Sequence, residues 1–565
     1  MGTLVSISEY KNKYIIFLNI SFLFVAFASL VLYFNSTEFL FLSSSSLNGS
    51  TDQDCKDLHK LEDYKARCLY LKSKNPCVSQ GYIDYLSLFY CNFGGFPFLG
   101  HFLLFLWLLV LFYLLGNTAS EYFCYSLESL SSLLKLSPTI AGVTLLSLGN
   151  GAPDVFANLV SFMGSGIREI GLNAVLGGAS FVTCVVVGTI SIFMHQKRVF
   201  VNKPAFIRDV CFLLFVLVSL ALILIHGEIN LWNAICFSSI YIVYVIIVYI
   251  TYLSWTAGNE DSKMDDNSIY GNDLSLPILN ETEEADDESE EEVKRCCFCL
   301  RSSPSCTMML WILEMPLYLP RRLTIPVVCE KRWSKPIAVA SVTLAPIFLS
   351  ALWNLQDEDL TYRTSLLVHG IGLLFGATFG VLAFMTTEKS SPPKTCLISW
   401  LAGGFLMSVI WTFITAQELV ALLVSLEYIY GISSSILGLT ALAWGNSLGD
   451  LITNLTMALN GGPEGAQVAL SGCYAGPIFN TLFGLGLSLV GSSWHAYPSP
   501  VLFPENPHLL ETLGFLVAGL IWALVVLPMR DMRLDMVLGV GLIIIYLMSI
   551  SLRLIQTPVS PKLSL

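Results

Sequence analysis

GNGAPD, residues 149–154, and GNSLGD, residues 445–450, place one pattern, Gly-Asn-x-x-x-Asp, in the middle of two apolar segments. A carboxylate in such a segment needs a cation, a proton or a basic side chain beside it, because its desolvation is costly. The apolar segments that hold Asp154 and Asp450 contain no lysine or arginine. The pattern therefore predicts two carboxylates that meet a cation or a proton.

The composition indicates a chain that lies in a lipid bilayer. Of the 565 residues, 54% are hydrophobic and 13% are charged, and the mean hydropathy is +0.67. A soluble domain needs a more polar surface, and a transmembrane barrel needs alternating strands where this chain has continuous apolar runs. We predict an all-α polytopic membrane protein with about 13 transmembrane helices of about 20 residues each. The candidate spans lie near residues 13–33, 96–116, 138–162, 171–194, 209–226, 229–253, 336–353, 365–385, 395–416, 433–459, 466–490, 512–529 and 535–554.

The N-terminal part of the chain predicts an anchor followed by a loop outside the cytoplasm. Residues 1–34 form a signal anchor or a signal peptide, and a retained anchor is favoured because no clear cleavage site follows the apolar run. Residues 35–95 then face the lumen or the outside. An even number of cysteines there predicts two disulfides with three possible pairings, and two sequons predict possible glycosylation. The cysteines are Cys55, Cys68, Cys77 and Cys91, and the sequons are at Asn35 and Asn48.

The rest of the chain divides into two membrane halves, 96–253 and 395–554, each with one copy of the motif. Between them, residues 254–335 contain the run ETEEADDESEEE, which supplies much of the net charge of −12 and predicts a solvated cytoplasmic loop. Residues 336–394 carry two extra spans, and residues 555–565 form a C-terminal tail.

The distribution of basic residues predicts the orientation of the spans. Lysine and arginine are concentrated in the loop at 195–208, almost absent from 354–364 and absent from 491–511. Basic short loops lie in the cytoplasm, and alternation from a cytoplasmic N-terminus agrees with this assignment. The span at 138–162 then runs outward, whereas the span at 433–459 runs inward.

The two motifs belong to an internal repeat that is longer than the motifs themselves. Chance similarity between apolar helices gives shared leucines and valines, whereas these segments share Gly, Asn, Asp and Thr. With a shift of 296 positions, Gly142, Thr144, Leu146, Gly149, Asn150, Asp154, Asn158 and Leu159 fall on Gly438, Thr440, Leu442, Gly445, Asn446, Asp450, Asn454 and Leu455, and with a shift of 298, Gly178, Phe181 and Gly188 fall on Gly476, Phe479 and Gly486. Because the repeats run in opposite directions, they predict an inverted-repeat transporter with its site near the bilayer midplane.

The polar residues around the two aspartates are hard oxygen ligands. Each motif asparagine lies one helical turn before its aspartate and shares a face with it, and threonine and serine hydroxyls add further oxygens. Such ligands suit calcium, sodium or potassium rather than zinc or copper. The predicted ion-binding residues are Asp154, Asp450, Asn150, Asn446, Ser447, Asn480, Thr144 and Thr440, and the glycines predicted to allow close helix packing are Gly149, Gly151, Gly445 and Gly449. For Asn158 and Asn454, ligand and packing roles are both open.

The paired motifs, together with GVTLLSLGN (142–150), TALAWGN (440–446) and GCYAGPIFN (472–480), resemble the calcium/cation antiporter superfamily. More specifically, they resemble its cation/calcium exchanger branch, which includes plant members and the animal mitochondrial sodium/calcium exchanger. The resemblance implies two inverted five-helix halves, here with extra spans. It also implies that Asp154 and Asp450 coordinate the transported ion, with Asn150, Asn446, Ser447 and Asn480 beside them.

The sequence departs from the superfamily pattern at three points. Both motifs have Asp where Glu is usual, Val182 stands where many relatives carry Asn, and Asn480 stands where many sodium/calcium exchangers carry an acidic residue. Two carboxylates rather than three favour divalent cations less strongly, so calcium, sodium and potassium all remain open as the transported ion.

These features predict a secondary active antiporter that exchanges Ca²⁺, Na⁺ or K⁺ against a counter-cation or H⁺ by alternating access. The main alternative is an H⁺-dependent K⁺ or Na⁺ transporter with little Ca²⁺ transport. A cation channel and an intramembrane aspartyl protease are more distant alternatives, and the second would require a GxGD motif that neither aspartate provides. We expect no enzymatic activity and no resident cofactor, inorganic cations and the lipid bilayer as partners, no nucleic acid, and a location in the plasma membrane or an endomembrane such as the vacuole or endoplasmic reticulum.

Overall fold

The computed structural model describes residues 58, 61, 63–74, 81–124, 126, 147–163, 168–197, 199–262, 318–328, 333–356, 362–389, 393, 397–460, 462–503 and 507–556. Several predictions therefore lie outside the described residues: the N-terminal anchor, the acidic run, Cys55, Cys77, the sequons at Asn35 and Asn48, and Thr144.

Helices account for nearly all of the described chain. In the first part these are α1 (Tyr64–Lys74), α2 (Tyr85–Ser87), the π-helical turn π1 (Leu88–Asn92), α3 (Pro97–Thr118), π2 (Ala119–Cys124), α4 (Ser147–Met163), α5 (Arg168–Ser180), π3 (Phe181–Val186), α6 (Val187–Met194), a 3₁₀ turn at His195–Lys197, α7 (Lys203–His226), strand β1 (Glu228–Ile229) and α8 (Leu231–Ser262). Then follow α9 (Lys335–Gln356), α10 (Tyr362–Thr386), α11 (Leu397–Tyr430), α12 (Ser434–Leu437), π4 (Gly438–Leu442), α13 (Ala443–Asn460), α14 (Gly462–Phe479), π5 (Asn480–Leu485), α15 (Gly486–Ala496), strand β2 (Val501–Leu502), α16 (Pro507–Met529) and α17 (Met536–Gln556).

The chain forms two compact units. The larger one, which we call the motif unit, contains Asp52–Cys296 and Lys394–Leu565, and thus both motifs. The other contains Met1–Thr51 and Cys297–Pro393, and thus helices α9 and α10. Within this smaller unit, α9 and α10 pack closely, because Gly372, Gly376 and Gly380 on α10 face Ser350 and Thr343 on α9 without a side chain between them.

Ten helices in the described part of the chain are long and apolar enough to cross a membrane. The protein is thus a multi-pass membrane protein, as predicted. The motif spans predicted at 138–162 and 433–459 correspond to α4 and to α12–α13, which are not among these ten, and the span at 13–33 lies outside the described residues. The number of thirteen spans therefore stays a prediction.

Helix α11 is longer than its predicted span, since it continues to Tyr430 where the sequence predicted a connection from 417 onward. The helix continues because another segment of the chain packs against its later turns. Glu418 is buried there and accepts hydrogen bonds from the backbone N–H of Tyr82 and from the Tyr85 hydroxyl, the latter at 2.6 Å. Burial and the nearby Glu418 carboxylate raise the pKa of Tyr85, which keeps the phenol protonated as a donor.

The segment before the first described span is held together by a disulfide between Cys68 and Cys91, whose Cα atoms are 5.0 Å apart. This is one of the pairs that the even cysteine count allowed. The guanidinium of Arg67 lies 5.4 Å from the centre of the Tyr90 ring, in a cation–π contact. The segment is thus folded onto the membrane helices rather than extended.

The internal repeat is visible in the helices themselves. Helix α5, the turn π3 and helix α6 form one continuous helix with a π-helical turn in its middle, and α14, π5 and α15 form its counterpart in the second half. Each is joined to its motif helix as a hairpin. Gly171 of α5 contacts Ser161 of α4, and Gly465 of α14 contacts the backbone of Met457 in α13.

The contacts between the repeats fix their relative direction. Gly438 lies against Ile170, Gly177 against Leu439, and Gly178 beside Ser447, so residue numbers rise together and α12–α13 runs parallel to α5. Because α4 and α5 form a hairpin, α4 runs antiparallel to α13. The inverted arrangement predicted from the loop charges is therefore confirmed by the packing.

Contacts between loops join helix ends that the distribution of basic residues predicted to lie on the same side of the membrane. Strands β1 and β2 pair antiparallel, with Glu228 opposite Leu502, and both follow helices predicted to end outside. An isolated bridge joins Phe200, in the loop predicted to be cytoplasmic, to Arg533 in the loop between α16 and α17. The strand pair and the bridge connect the first half of the chain to the second half at opposite ends of the helices.

Candidate functional site

Two prolines open the backbone near the aspartate of the first motif. Pro153 lies inside α4, immediately before Asp154, and Pro477 lies inside α14, three residues before Asn480. Proline has no N–H to donate, so the carbonyl oxygens of Gly149 and Cys473, four residues earlier, lack their usual helical partner. These carbonyls add potential oxygen ligands to the two helices that meet at the motif.

The carboxylate of Asp154 is held by two asparagines of the opposite repeat. The Asn446 amide donates to Asp154 Oδ1 at 2.9 Å, and the Asn480 amide donates to Asp154 Oδ2 at 2.6 Å. Asn446 comes from α13 and Asn480 from the first position of π5. The structure thus brings together three of the predicted ligands from three different elements.

The same asparagines leave oxygen atoms without partners. Asn446 Oδ1, Asn480 Oδ1 and Ser447 Oγ are buried and have no hydrogen bond. An unsatisfied buried polar atom costs about 1–3 kcal/mol, so two such amide oxygens beside one carboxylate, with Ser447 Oγ one residue after Asn446, form an unusual concentration of unused acceptors. This is the donor set that an alkali or alkaline-earth cation takes.

Gly151 makes the close approach of Asn480 possible. A Cβ added at Gly151 would overlap Asn480 Oδ1 and would lie 2.9 Å from Cδ1 of Phe479. Any side chain at this position would therefore push π5 away from α4 and separate Asn480 from Asp154. The packing role predicted for this glycine is directly tied to the site.

Asp450, the second motif aspartate, has different surroundings. It lies within electrostatic range of Asp154 and of the Cys473 thiol. Among the described residues its carboxylate has no hydrogen bond, and Val182, the counterpart of Asn480, is buried and apolar. The two halves of the site are therefore unequal around their aspartates.

The other predicted site residues fall into three groups. Asn150 and Gly149 lie in α4, but their side-chain surroundings are outside the described part of the chain. Thr440 is not joined to either aspartate among the described hydrogen bonds, because its hydroxyl donates to the Ile436 carbonyl at 2.7 Å in its own helix. Thr144 is outside the described residues.

The two glycines of the second motif also differ from each other. A Cβ added at Gly445 would overlap the ring of Phe112 on α3, so this glycine packs as predicted, though against a helix outside the repeat. At Gly449 an added Cβ would meet no atom of the described residues within 4 Å, so these residues provide no contact for the packing role predicted there.

Thr481 escaped the sequence analysis. It follows Asn480, and its buried hydroxyl has no hydrogen bond. The signal that could have found it is its identity with Thr183 under the shift of 298 that aligns Phe181 with Phe479. Within the described residues no three His, Cys, Asp or Glu side chains gather as a metal cluster.

Comparison with known proteins finds relatives that match both halves of the chain. The model of the family "Sodium/calcium exchanger protein" matches residues 104–250 and 400–555, which include both motifs. Cation/calcium exchanger 2 of Arabidopsis thaliana is 55% identical over 551 residues, covering 96% of this chain and 97% of that protein. The mitochondrial sodium/calcium exchanger protein of Homo sapiens is 30% identical, covering 89% of this chain and 90% of that protein.

Among solved structures, the H⁺/Ca²⁺ exchanger CAX is similar with a TM-score of 0.39 and 11% identity, covering 89% of this chain and 94% of that one. The matches in sequence extend across both halves and both motifs. The chain therefore belongs to the sodium/calcium exchanger protein family and, within it, to the cation/calcium exchangers.

Proposed function

We propose that this protein is a secondary active antiporter that carries Ca²⁺, Na⁺ or K⁺ in one direction and a counter-cation or H⁺ in the other. Its transport would proceed by alternating access, in the plasma membrane or in an endomembrane such as the vacuole or endoplasmic reticulum. The names of relatives, which include a cation/calcium exchanger and a sodium/calcium exchanger, support this class of transport.

One observation carries the proposal. Asp154 is bridged by Asn446 and Asn480 from the opposite repeat, while both amides keep a free oxygen and Ser447 adds a third. A dehydrated cation that enters this position replaces its water ligands with these oxygens and neutralises the carboxylate. When the cation leaves, a counter-ion or a proton has to take its place, because a bare carboxylate in the bilayer is costly.

The packing of the repeats suits an alternating mechanism. The ligands come from α4, α13 and π5; Gly151 of α4 lies against Asn480, and Gly177 and Gly178 of α5 lie against π4 and α13. Small residues at helix contacts let two helices lie close together, with few side chains that would have to repack when the helices move. Rocking of α4–α5 against α13–α14 would open the ligands to one side of the membrane at a time.

The composition of the site also keeps the main alternative open. The site has two aspartates, and Asn480 and Val182 supply no further charge. An H⁺-dependent K⁺ or Na⁺ transporter with little Ca²⁺ transport is therefore the second candidate. The two candidates differ in whether Ca²⁺ competes with K⁺ and Na⁺ for entry.

The test is cation flux in proteoliposomes that contain the purified protein, with one cation gradient at a time and with or without a pH gradient. We expect Asp154→Asn and Asp450→Asn each to lower exchange at least about a hundredfold, because each removes a negative charge that would balance the bound cation inside the bilayer. Glu418→Gln removes a buried carboxylate outside the site and is expected to retain exchange. Normal exchange by both aspartate variants would refute the site, and flux that persists without an opposing ion would favour a channel.

A further inference from the structure

We propose that the contact between α4 and π5 holds an additional position for a monovalent alkali cation, formed by the amide oxygen of Asn158 and the hydroxyl of Thr481 beside Asp154. This inference rests on the proposed transport function and adds a second ligand position to the same pathway.

The first observation is the state of Asn158. Its side chain is only 1% exposed, and its Oδ1 atom has no hydrogen bond. It lies four residues after Asp154, so both side chains project from the same face of α4. Side chains at this spacing have Cβ atoms about 5–6 Å apart, so one cation can contact the Asp154 carboxylate and the Asn158 amide together.

The second observation is the surface that Asn158 faces. A Cβ added at Gly484 in π5 would lie 3.2 Å from Cγ2 of Val155 and 3.8 Å from Nδ2 of Asn158. The absence of a side chain at Gly484 leaves room for the Asn158 amide against this turn. Thr481 belongs to the same turn, is 0% exposed, and has a hydroxyl oxygen without a partner.

The opposite repeat provides an internal comparison. Asn454 and Thr183 are the counterparts of Asn158 and Thr481, and they belong to the equivalent contact of α13 with π3. There the Asn454 amide donates to the Asp450 carbonyl at 2.9 Å, and the Thr183 hydroxyl donates to the Ala179 carbonyl at 2.7 Å. The Thr183 hydroxyl and the Asn454 amide nitrogen are thus satisfied within their own helices, whereas in the other repeat the Thr481 hydroxyl and the Asn158 amide oxygen have no hydrogen bond.

Residue type and position in the helix therefore do not explain by themselves why the Asn158 amide oxygen and the Thr481 hydroxyl lack hydrogen bonds. Buried threonine in these helices generally donates to the carbonyl four residues before it, and Pro477, at that position before Thr481, keeps a carbonyl that can accept. Asn158 belongs to α4 and Thr481 to π5, and the contact of these two elements also holds Asp154 and Asn480. A ligand shared by these groups is the simplest account of why two neutral oxygens are left unpaired together.

The charge at this position selects the class of ion. Asn158 and Thr481 are neutral, so their oxygens add no charge to that of Asp154, the carboxylate on the same face of α4. Ca²⁺ takes six to eight oxygen ligands, usually with more than one carboxylate, whereas a single carboxylate balances one Na⁺ or K⁺. We therefore assign the position to an alkali cation.

The experiment measures thermal unfolding of the purified full-length protein in detergent as NaCl or KCl replaces choline chloride at constant ionic strength, without calcium. The variants are Asn158→Leu and the isosteric Thr481→Val, with Asn454→Leu and Thr183→Val as matched controls. We expect the first two to raise the half-stabilising concentration of the alkali cation by about tenfold, equivalent to about 1.4 kcal/mol. The control variants should change the half-stabilising concentration of the alkali cation by less than about twofold. In a separate titration with CaCl₂, all four variants should change the half-stabilising concentration of calcium by less than about twofold.

Several results would overturn the proposal. These are an absence of stabilisation of the unmodified protein by either alkali cation, equal effects of both pairs of variants, and a loss of calcium stabilisation as large as the loss for Na⁺ or K⁺. If Asn158→Leu does not fold, Thr481→Val decides, because its volume is unchanged. Flux in proteoliposomes separates the two levels: no exchange by the unmodified protein contradicts the antiporter, whereas normal exchange with unaltered alkali titrations contradicts only the additional position.

Discussion

Gly151 and Ser447 stand at equivalent positions of the two repeats, and each does something that the other could not. Gly151 has no side chain, which lets Asn480 approach Asp154, while Ser447 supplies a buried hydroxyl oxygen beside Gly178. A repeat that began as two similar halves thus contributes space from one side and a ligand from the other. The unequal surroundings of Asp154 and Asp450 follow from differences of this kind.

Gly151→Ala should impair ion binding without unfolding the protein. The added methyl group would overlap Asn480 Oδ1 and displace the amide from Asp154. We expect the half-saturating concentration of the transported cation to rise at least about tenfold, since overpacking by one methyl group costs about 1–3 kcal/mol. Cation-dependent flux in proteoliposomes measures this change.

The control is Gly449→Ala in the other motif, where an added Cβ meets no atom within 4 Å. Alanine is the better helix former, so this variant should be as stable as the parent or more so, by about 0.5–1 kcal/mol. If the two alanine variants behave alike, the close approach at Gly151 is irrelevant to transport.

Asn480→Asp should shift transport towards calcium. The Asn480 amide lies 2.6 Å from Asp154 Oδ2, so the substitution places two carboxylates side by side where one hydrogen bond was. Two adjacent carboxylates repel each other unless a cation lies between them, and a divalent ion compensates them best. We expect the ratio of Ca²⁺ flux to K⁺ or Na⁺ flux to rise about threefold or more.

The same variant should depend on calcium for its stability. Without divalent cations it should unfold at a lower temperature than the parent, and calcium should restore the difference, whereas Asn454→Asp should show neither effect to the same extent. An unchanged calcium-to-monovalent ratio would show that position 480 does not set selectivity.

At the residue scale, the sequence predicted which side chains gather but not how they pair. Asp154, Asn446 and Asn480 could be found because polar residues repeated in apolar segments stand out. The sequence could not show that both amides turn to Asp154 and none to Asp450 among the described residues. That choice depends on the approach of π5 to α4, which Gly151 permits and no local pattern encodes.

At the scale of helices, Gly445 connects the motif to a helix outside the repeat. The glycine contacts the ring of Phe112 on α3, and a methyl group there would overlap the ring. We expect Gly445→Ala to lower the thermal stability by about 1–3 kcal/mol in detergent. The double variant with Phe112→Leu should recover part of the loss.

A double-mutant cycle checks this contact. Residues in direct contact give coupling energies above about 0.5 kcal/mol, so additive effects of Gly445→Ala and Phe112→Leu would contradict the packing. Unfolding midpoints of the four proteins supply the numbers, with Gly449→Ala as the control of equal chemistry on the same helix.

The spans themselves were predicted well because continuous apolar length is a direct consequence of bilayer thickness. Helices α16 and α17 begin and end within five residues of the predicted spans, and α7 ends at its predicted residue, whereas α8 continues to Ser262, past its predicted end at 253. The π-helical turns were not predicted, since nothing in apolar composition distinguishes a wider turn. The extension of α11 to Tyr430 was also missed, because it depends on Glu418 being covered by a segment more than three hundred residues away.

At the scale of the whole molecule, the β1–β2 strand pair and the bridge between Phe200 and Arg533 provide a test of the orientation in the membrane. Leu502 in β2 is 66% exposed and Phe200 is 63% exposed, and they lie at opposite ends of the helices. Cysteine at position 502 should react with a membrane-impermeant maleimide from the outside or lumenal face. Cysteine at position 200 should react only after permeabilisation.

Labelling is read relative to the unmodified protein, because the chain has cysteines of its own. Reaction of both positions from the same face would contradict the inverted arrangement. Reaction in the reverse order would leave the repeat intact and invert the orientation that the basic loops predicted.

The motif unit is discontinuous along the chain, and this has a consequence for its biosynthesis. The ribosome completes Asp52–Cys296 and must then add the roughly hundred residues of Cys297–Pro393 before the partner segment Lys394–Leu565 begins to appear. At about 5–20 residues per second, this interval lasts roughly 5–20 seconds. During that time Asp154 and Asn158 of α4 have no second repeat to pack against. The newly made first half therefore has to keep these polar side chains away from lipid before its partner segment exists.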